Sequence, residues 1–214
     1  MVKLFVIDFH PVVRRGLASM FPEGDPEFKV VGEASGVLEA VDKIEELQPD
    51  IVIMDMFTPG GDSGDAVNLL QQKCPKVKVI VLTDSNKKED FFKAIRTGAT
   101  GYLLKSLELN ELVDSVRLVS RGSAIVYSSM AVKLLDETEE TGNGHKNGGS
   151  LSDREVEILK LVALGSSNKE IASHCYLSET TVKAHLRRIS EKLVVKNRAQ
   201  AVARAIEGGY LVKV

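Results

Sequence analysis

"FVIDFHPVVRRGL", residues 5–17, opens with a short apolar run that stops on Asp8. Four further runs share its β-branched character: "FKVVGEA" (28–34), "DIVIMD" (50–55), "VKVIVLT" (77–83) and "GYLL" (101–104). With "KLFVID" (3–8) they are near-continuously apolar, as parallel strands covered on both faces are. Helical periodicity fills the gaps. In "GVLEAVDKIEEL", Leu38, Val41, Ile44 and Leu47 recur every third residue, with acids and Lys outward. "EDFFKAIRTGA" closes at Gly98 and "ELNELVDSVRLVSRG" at Gly122, both placed as C-caps. Five βα units in series predict an α/β fold over residues 1–122, an open, doubly wound, five-stranded parallel sheet. The reactive groups of such a sheet gather beyond the carboxyl ends of its strands.

Composition then changes. "DETEETGNGHKNGGS" (136–150) carries no apolar residue and is rich in Gly, Glu and Asn, so it reads as a flexible tether. "SSMAVKLLDE" before it predicts a short linker helix capped by Ser128 or Ser129. Residues 123–149 are thus a linker, and four helical segments crowd into residues 150–214 as a second, all-α domain. The whole chain has a net charge of −2, but the halves differ. Residues 1–149 hold 17 Lys+Arg against 23 Asp+Glu, a balance of −6, and residues 150–214 hold 11 against 7, a balance of +4. A basic C-terminal segment behind an acidic body points to a polyanionic partner for the tail alone.

Other classes are argued against. Cys74 and Cys175 form no CxxC and have no His at metal-ligand spacing, which favours a reducing compartment over a zinc site. No apolar run approaches the ~20 residues of a membrane span, and the N-terminus lacks a signal-peptide pattern. A cytoplasmic protein without a membrane partner is expected.

The C-terminal segments have the spacing of a helix-turn-helix. "LSDREVEILKLVALG" begins with Ser152 three residues before Glu155, a capping box, and ends at Gly165. A short helix, "SNKEIASH", and a tight "CYL" connector lead to the longer "SETTVKAHLRRISEKL", with Ser178 at its N-cap. A last helix is expected around 198–207. At 100° per residue, Val182, Leu186, Ile189 and Leu193 form one buried stripe. Thr180, Lys183, Ala184, Arg187, Arg188 and Glu191 fall opposite it, a cationic face with small side chains suited to a DNA major groove.

Residues 151–202 resemble the LuxR/NarL-type helix-turn-helix of bacterial transcription factors, through "LSDRE", "GSSNKEIA", "LSETTVKAH" and "KNRAQAV" in order and spacing. The resemblance implies that Lys183, Ala184 and Arg187 face bases, and that Asn168, Lys169, Thr181, His185 and Arg188 lie near phosphates. It also implies that Ala199, Val202, Ala203 and Ile206 on the last helix pair two copies on a two-fold site. For His185 a partly buried packing role stands beside the phosphate contact. Val194 occupies the family's usual Gly position after "KL", which tightens that corner without touching the reading face.

At the other end, Asp8, Asp55, Thr83 and Lys105 follow strands one, three, four and five, which brings four polar groups to one sheet edge. A carboxylate there can accept a phosphoryl group as a mixed anhydride, a divalent cation gathers the oxygens, and a hydroxyl and an ammonium hold the product. Residues 1–121 resemble the receiver domain of two-component response regulators, through "VIDFHPVVRRGL", "DIVIMDMFTPGGDSG", "VIVLTD" and "GATGYLLK". A receiver joined to a LuxR-type reader is the architecture of the NarL (FixJ) subfamily. The resemblance implies Asp55 as phosphoacceptor and Thr83 and Tyr102 as switch residues, with Lys105 as the phosphate's partner. Asp8, Asp55 and the Phe57 carbonyl would hold Mg2+. Double-stranded DNA, a sensor histidine kinase, RNA polymerase and a second copy of the chain are the partners it implies.

Three departures bear on the switch. The family has two acids before His-Pro, and here Phe9 occupies the second place, which ordinarily ligates magnesium. "TPGGDSG" is one residue longer than the family's loop beside the acceptor. Asp84 after Thr83, where a small residue is usual, either repels a phosphoryl group or replaces the missing carboxylate; Ser106 is a lesser change. The expected function is a DNA-binding transcriptional regulator, not an enzyme, with weak or absent phosphorylation of Asp55. Three alternatives stand beside it. One is a regulator switched without phosphate by dimerisation, ligand or partner. Another is a haloacid-dehalogenase-type phosphatase with Asp8 as nucleophile, for which His10 sits where a second Asp is wanted. The third is a protein-interaction adaptor that has lost DNA binding, against which Lys183, Arg187 and Arg188 speak.

Overall fold

The computed structural model describes residues 1–58, 61–122, 125–126 and 151–211. The predicted linker helix and tether lie outside the described residues. The chain divides into two compact units, Met1–Gly122 and Ser123–Val214.

The first unit alternates strand and helix. It runs β1 (Val2–Ile7), α1 (Pro11–Ser19), β2 (Phe28–Ala34), α2 (Val37–Leu47), β3 (Ile51–Asp55) and the short strands β4 (Phe57–Thr58) and β5 (Gly61–Asp62). Then come α3 (Ser63–Lys73), β6 (Lys78–Thr83), α4 (Lys88–Thr97), β7 (Gly101–Leu104) and α5 (Leu109–Ser120). The unit contributes five parallel strands in the order β2-β1-β3-β6-β7. Every residue of β3 is buried, as are Leu4–Ile7 of β1, because helices cover both faces. The chain reverses its direction of travel across the sheet between β1 and β3, so the ends of these two strands form the switch-point crevice. Asp8 and Asp55 stand there.

Local details follow from residue type, with one correction. Gly98 caps α4 in the left-handed region at φ 119°. In α2 the buried set is Val37, Ala40, Val41 and Ile44, while Leu38 is exposed. The apolar stripe follows i, i+3, i+4, i+7, which tracks the 3.6-residue turn better than a strict three-residue repeat, and Leu38 rotates off it. Beside the acceptor, β4 and β5 pair antiparallel, with Phe57 opposite Asp62 and Thr58 opposite Gly61.

The second unit holds α6 (Asp153–Ala163), α7 (Asn168–His174), α8 (Glu179–Leu193) and α9 (Arg198–Glu207). Capping boxes at Ser152/Glu155 and Ser167/Glu170 start the first two, and the Ser178 and Asn197 side chains cap the others. Glu155 also ties α6 to α8, accepting from Lys192 Nζ at 2.6 Å. Burial opposes its ionisation, but Lys192 and the Ser152 cap prevail and hold its carboxyl below the usual range. Arg198 links α9 to α7 by donating to Asn168 Oδ1 at 3.1 Å and to the Ser166 carbonyl. Its burial lowers the guanidinium to about 10.

Candidate functional site: an acidic crevice and a cationic helix

Sheet register assembles the crevice. Asp55 ends β3, Thr83 ends β6, and Asp8 and Lys105 immediately follow β1 and β7, so all four arrive at the carboxyl edge as expected. Asp8, Asp55 and Thr83 are buried. Lys105 Nζ donates to Asp8 Oδ2 at 2.9 Å and lies 3.2 Å from Asp55 Oδ2, one ammonium between two carboxylates. Burial pushes the Asp55 carboxyl above its ordinary value, with the neighbouring Lys105 charge working against that. Burial would also lower the Lys105 ammonium, but the two carboxylates outweigh it and the net shift is upward. The ammonium thus stands between the two carboxylates in a partly dry cleft.

Two connections were not visible in sequence. His10 belongs to the crevice: its backbone N–H donates to Asp8 Oδ1 at 2.7 Å, and its Nδ1 lies 3.1 Å from the same oxygen. The signal was an Asp followed two residues later by a backbone donor, the usual Asx-turn spacing. The second is a relay between the expected switch residues. Thr83 Oγ1 accepts from the Ser85 N–H at 3.0 Å, and the Tyr102 hydroxyl donates to the Ser85 carbonyl at 3.0 Å. Both hydroxyls also point at Met56 Sδ, at 3.5 and 3.6 Å. Tyr102 is fully buried, edge-on to Phe91 at 5.5 Å, and burial raises its hydroxyl to about 12. It is a neutral hydrogen-bond donor at physiological pH.

The donor set tests the magnesium expectation. Phe9 is 53% exposed and brings no oxygen. Among the described residues, the ligand-type atoms lying within 4.8 Å of one another belong to Asp8, His10 and Asp55. Asp84 is exposed and outside that group, so it does not replace the missing carboxylate. Magnesium favours octahedral oxygen donors and retains several waters. Asp8, Asp55 and the Phe57 carbonyl would offer it three oxygens, one fewer than with an acid at position 9, and waters would complete the set.

In the second unit the wheel is realised. Val182, Ile189 and Leu193 are buried and Leu186 half-buried, while Thr180, Lys183, Ala184, Arg187, Arg188 and Glu191 are all exposed. Arg187 Nε bonds Glu191 Oε1 at 2.9 Å along the open face. Thr181 is half-buried at the N-cap, where its hydroxyl lies 2.8 Å from Ser178 Oγ. Lys169 is exposed, and Asn168 is already engaged by Arg198. His185 is half-buried and its Nδ1 is buried without a hydrogen-bond partner. Ala199, Val202, Ala203 and Ile206 require correction as a pairing surface. All four are buried in the single chain, because α9 packs on α6 and α8 and its small apolar residues fill that core. Val194, at the former glycine position, adopts φ 54°, ψ 54° and is 89% exposed.

Comparison with known proteins agrees with both halves. Residues 4–117 match the response regulator receiver domain, and residues 149–205 match the luxR family of bacterial regulatory proteins. The chain is 37% identical over 205 residues to the transcriptional regulatory protein LiaR of Bacillus subtilis (strain 168), spanning 96% of this chain and 97% of that one. It is 33% identical over 206 residues to the response regulator protein VraR of Staphylococcus aureus (strain Mu3), with the same coverage. Among solved structures, the response regulator ChrA of a heme-sensing two-component system is 32% identical, with a TM-score of 0.52 and 98% of each chain covered. These relatives are transcriptional regulators rather than enzymes, and the phosphatase alternative falls with them. With a receiver fold at one end and a LuxR-type reader at the other, the chain belongs to the NarL/LuxR family of two-component response regulators and is a DNA-binding transcriptional regulator.

Proposed function

We propose that α8 enters the major groove of double-stranded DNA with Lys183, Ala184 and Arg187 toward base edges. Thr180, Thr181, Arg188 and Lys169 flank phosphates, and Asn168 is positioned beside them by Arg198. His185, half inside the domain, serves packing as well as the backbone contact. The single observation that carries this is the open face of α8, with Lys183, Arg187 and Arg188 on one side and Val182, Ile189 and Leu193 buried on the other. Two copies bind inverted half-sites, through surfaces other than the four core residues of α9. Binding weakens as salt rises, because cations displace counterions from the phosphates. A gel shift of the full-length protein on genomic fragments tests the reading: retardation that Lys183→Ala and Arg187→Ala each weaken supports it, and retardation indifferent to both overturns it.

Residues 1–122 form the controlling domain, residues 123–149 the linker and residues 150–214 the reader, acting in the cytoplasm under a sensor histidine kinase and meeting RNA polymerase at the promoter. Asp55 is a poor phosphoacceptor with magnesium, since Phe9 supplies no oxygen to the site. When Asp55 does carry a phosphoryl group, its oxygens draw on the Lys105 ammonium and the Thr83 hydroxyl. Thr83 then releases the Ser85 N–H, and the Tyr102 partner on that same residue moves with it. Incubation with acetyl phosphate and magnesium is expected to leave the mass of most molecules unchanged; a full shift of one phosphoryl group overturns the poor-acceptor reading.

A further inference from the structure

Resting on the reading that Asn168 lies beside a backbone phosphate, we propose that Arg198 is the positioning residue for that contact. It holds the Asn168 amide with its oxygen inward and its nitrogen toward the DNA, and it backs the bound phosphate with a positive charge inside the reader. The hydrogen bonds fix the direction of the amide. Arg198 is the first residue of α9, and its guanidinium reaches back 30 positions to donate to Asn168 Oδ1 at 3.1 Å and also to the Ser166 carbonyl. A guanidinium offers only donors, so the end of the amide that it meets is the carbonyl oxygen. The Asn168 nitrogen is therefore turned away from Arg198, and among the described residues it has no acceptor. Side-chain amides are regular donors to phosphate oxygens. An amide free to turn over would present its oxygen there equally well, and two acceptors repel.

The charge on Arg198 is a separate observation. Its Nε is buried without a hydrogen-bond partner, and its other nitrogens meet neutral oxygens. Among the described residues no carboxylate pairs with it, and burial alone acts on its ionisation. It remains a cation at neutral pH. A charge withdrawn from water without an opposite partner is costly to the fold. The other buried charge of the reader is matched, since Glu155 accepts from Lys192 at 2.6 Å. Packing accounts for the apolar stem of Arg198, not for its unmatched charge. An anion on the outer side of Asn168 supplies the missing sign, and the polyanion that this domain meets is the DNA backbone. Arg198 stands behind the contact rather than in it: Asn168 touches the phosphate, and Arg198 acts through Asn168.

The experiment is a double-mutant cycle on the full-length protein, read by fluorescence anisotropy on a genomic duplex that the intact chain retards, across a salt series. Arg198→Met keeps an unbranched apolar stem and removes the donors and the charge. Asn168→Ala and Arg198→Met are each expected to weaken binding about two- to tenfold, the range of one hydrogen bond. The double variant is expected to bind no worse than the weaker single one. Arg198→Met is also expected to flatten the fall of affinity with salt, which Asn168→Ala leaves unchanged; a role confined to packing does not move that slope. Additive losses overturn the proposal, as does a salt slope in Arg198→Met equal to that of the intact chain. If circular dichroism shows Arg198→Met unfolded, Asn168→Asp decides. It gives Arg198 a counter-charge and turns a carboxylate oxygen toward the DNA, so a higher thermal midpoint with weaker binding than Asn168→Ala is expected. A midpoint no higher than that of the intact chain, or binding equal to that of Asn168→Ala, overturns the proposal. The two failures are distinct. Unchanged affinity in Asn168→Ala refutes the phosphate contact itself and Arg198's part with it, whereas additive losses refute the part of Arg198 and leave the contact standing.

Discussion

The reading helix and the acidic crevice carry their charges under opposite conditions. In α8, Lys183, Arg187 and Arg188 stand in water on consecutive turns of one helix, and their hydration costs the fold nothing. In the crevice, Lys105 meets Asp8 from 97 positions away, and both carboxylates are buried against it. Exposed charges are available to a partner and contribute little to stability. Interlocked buried charges do the reverse: each holds the others, and losing one strands the rest. Function and stability are therefore separable in the reader and inseparable in the receiver.

The largest expected effect lies in the crevice. Lys105→Ala leaves Asp8 and Asp55 facing each other without a cation and is expected to cost about 3 kcal/mol in denaturant unfolding. A cost within experimental error would break the comparison, for the crevice would then behave like a surface. Next comes the reader. Lys183→Ala and Arg187→Ala are each expected to weaken DNA binding by about 1–3 kcal/mol in fluorescence anisotropy, with the unfolding midpoint unchanged. A large loss of stability in either would erase the separation of roles.

A smaller change tests the edge of the reader. Val194 is β-branched and sits in the left-handed region, where an L side chain crowds its own carbonyl. Val194→Gly is expected to stabilise the chain by about 1 kcal/mol, read as a higher thermal midpoint, with DNA affinity unaltered because the corner lies off the reading face. The smallest effect concerns pH. The folded Asp55 carboxyl titrates above its model-peptide value of 3.8, so the folded chain holds that proton more tightly than the unfolded one. Stability is thus lost as pH climbs from 3.8 through the raised value, and the decrement is complete at neutrality. Asp55→Asn removes the decrement, offset by the lost Lys105 contact. A modest rise in midpoint at neutral pH that vanishes in acid is the expected result, measured by thermal unfolding across the acid range.

What was legible in sequence divides along the same line. The face of α8 was readable because helical geometry is local: a fixed rotation per residue decides which side chains share a side, whatever the rest of the chain does. The arrival of Asp8, Asp55, Thr83 and Lys105 at one edge was equally readable, since parallel strands in βα units all end on the same side. Two helix-level expectations failed for want of neighbours. Leu38 lies off the buried stripe of α2, and the four apolar residues of α9 fill the core instead of a pairing surface.

By itself, then, the sequence determined the strand and helix order, the edge at which the acids gather and the cationic side of the reading helix. All of these rest on periodicity and chain direction, which need no knowledge of distant contacts. Only the tertiary structure decided that Lys105 bridges Asp8 and Asp55, that Ser85 joins Thr83 to Tyr102, and that His10 turns onto Asp8 where Phe9 turns away. Those outcomes depend on strand register and on the rotamers chosen in a packed interior, where atoms from remote positions compete for the same few ångströms.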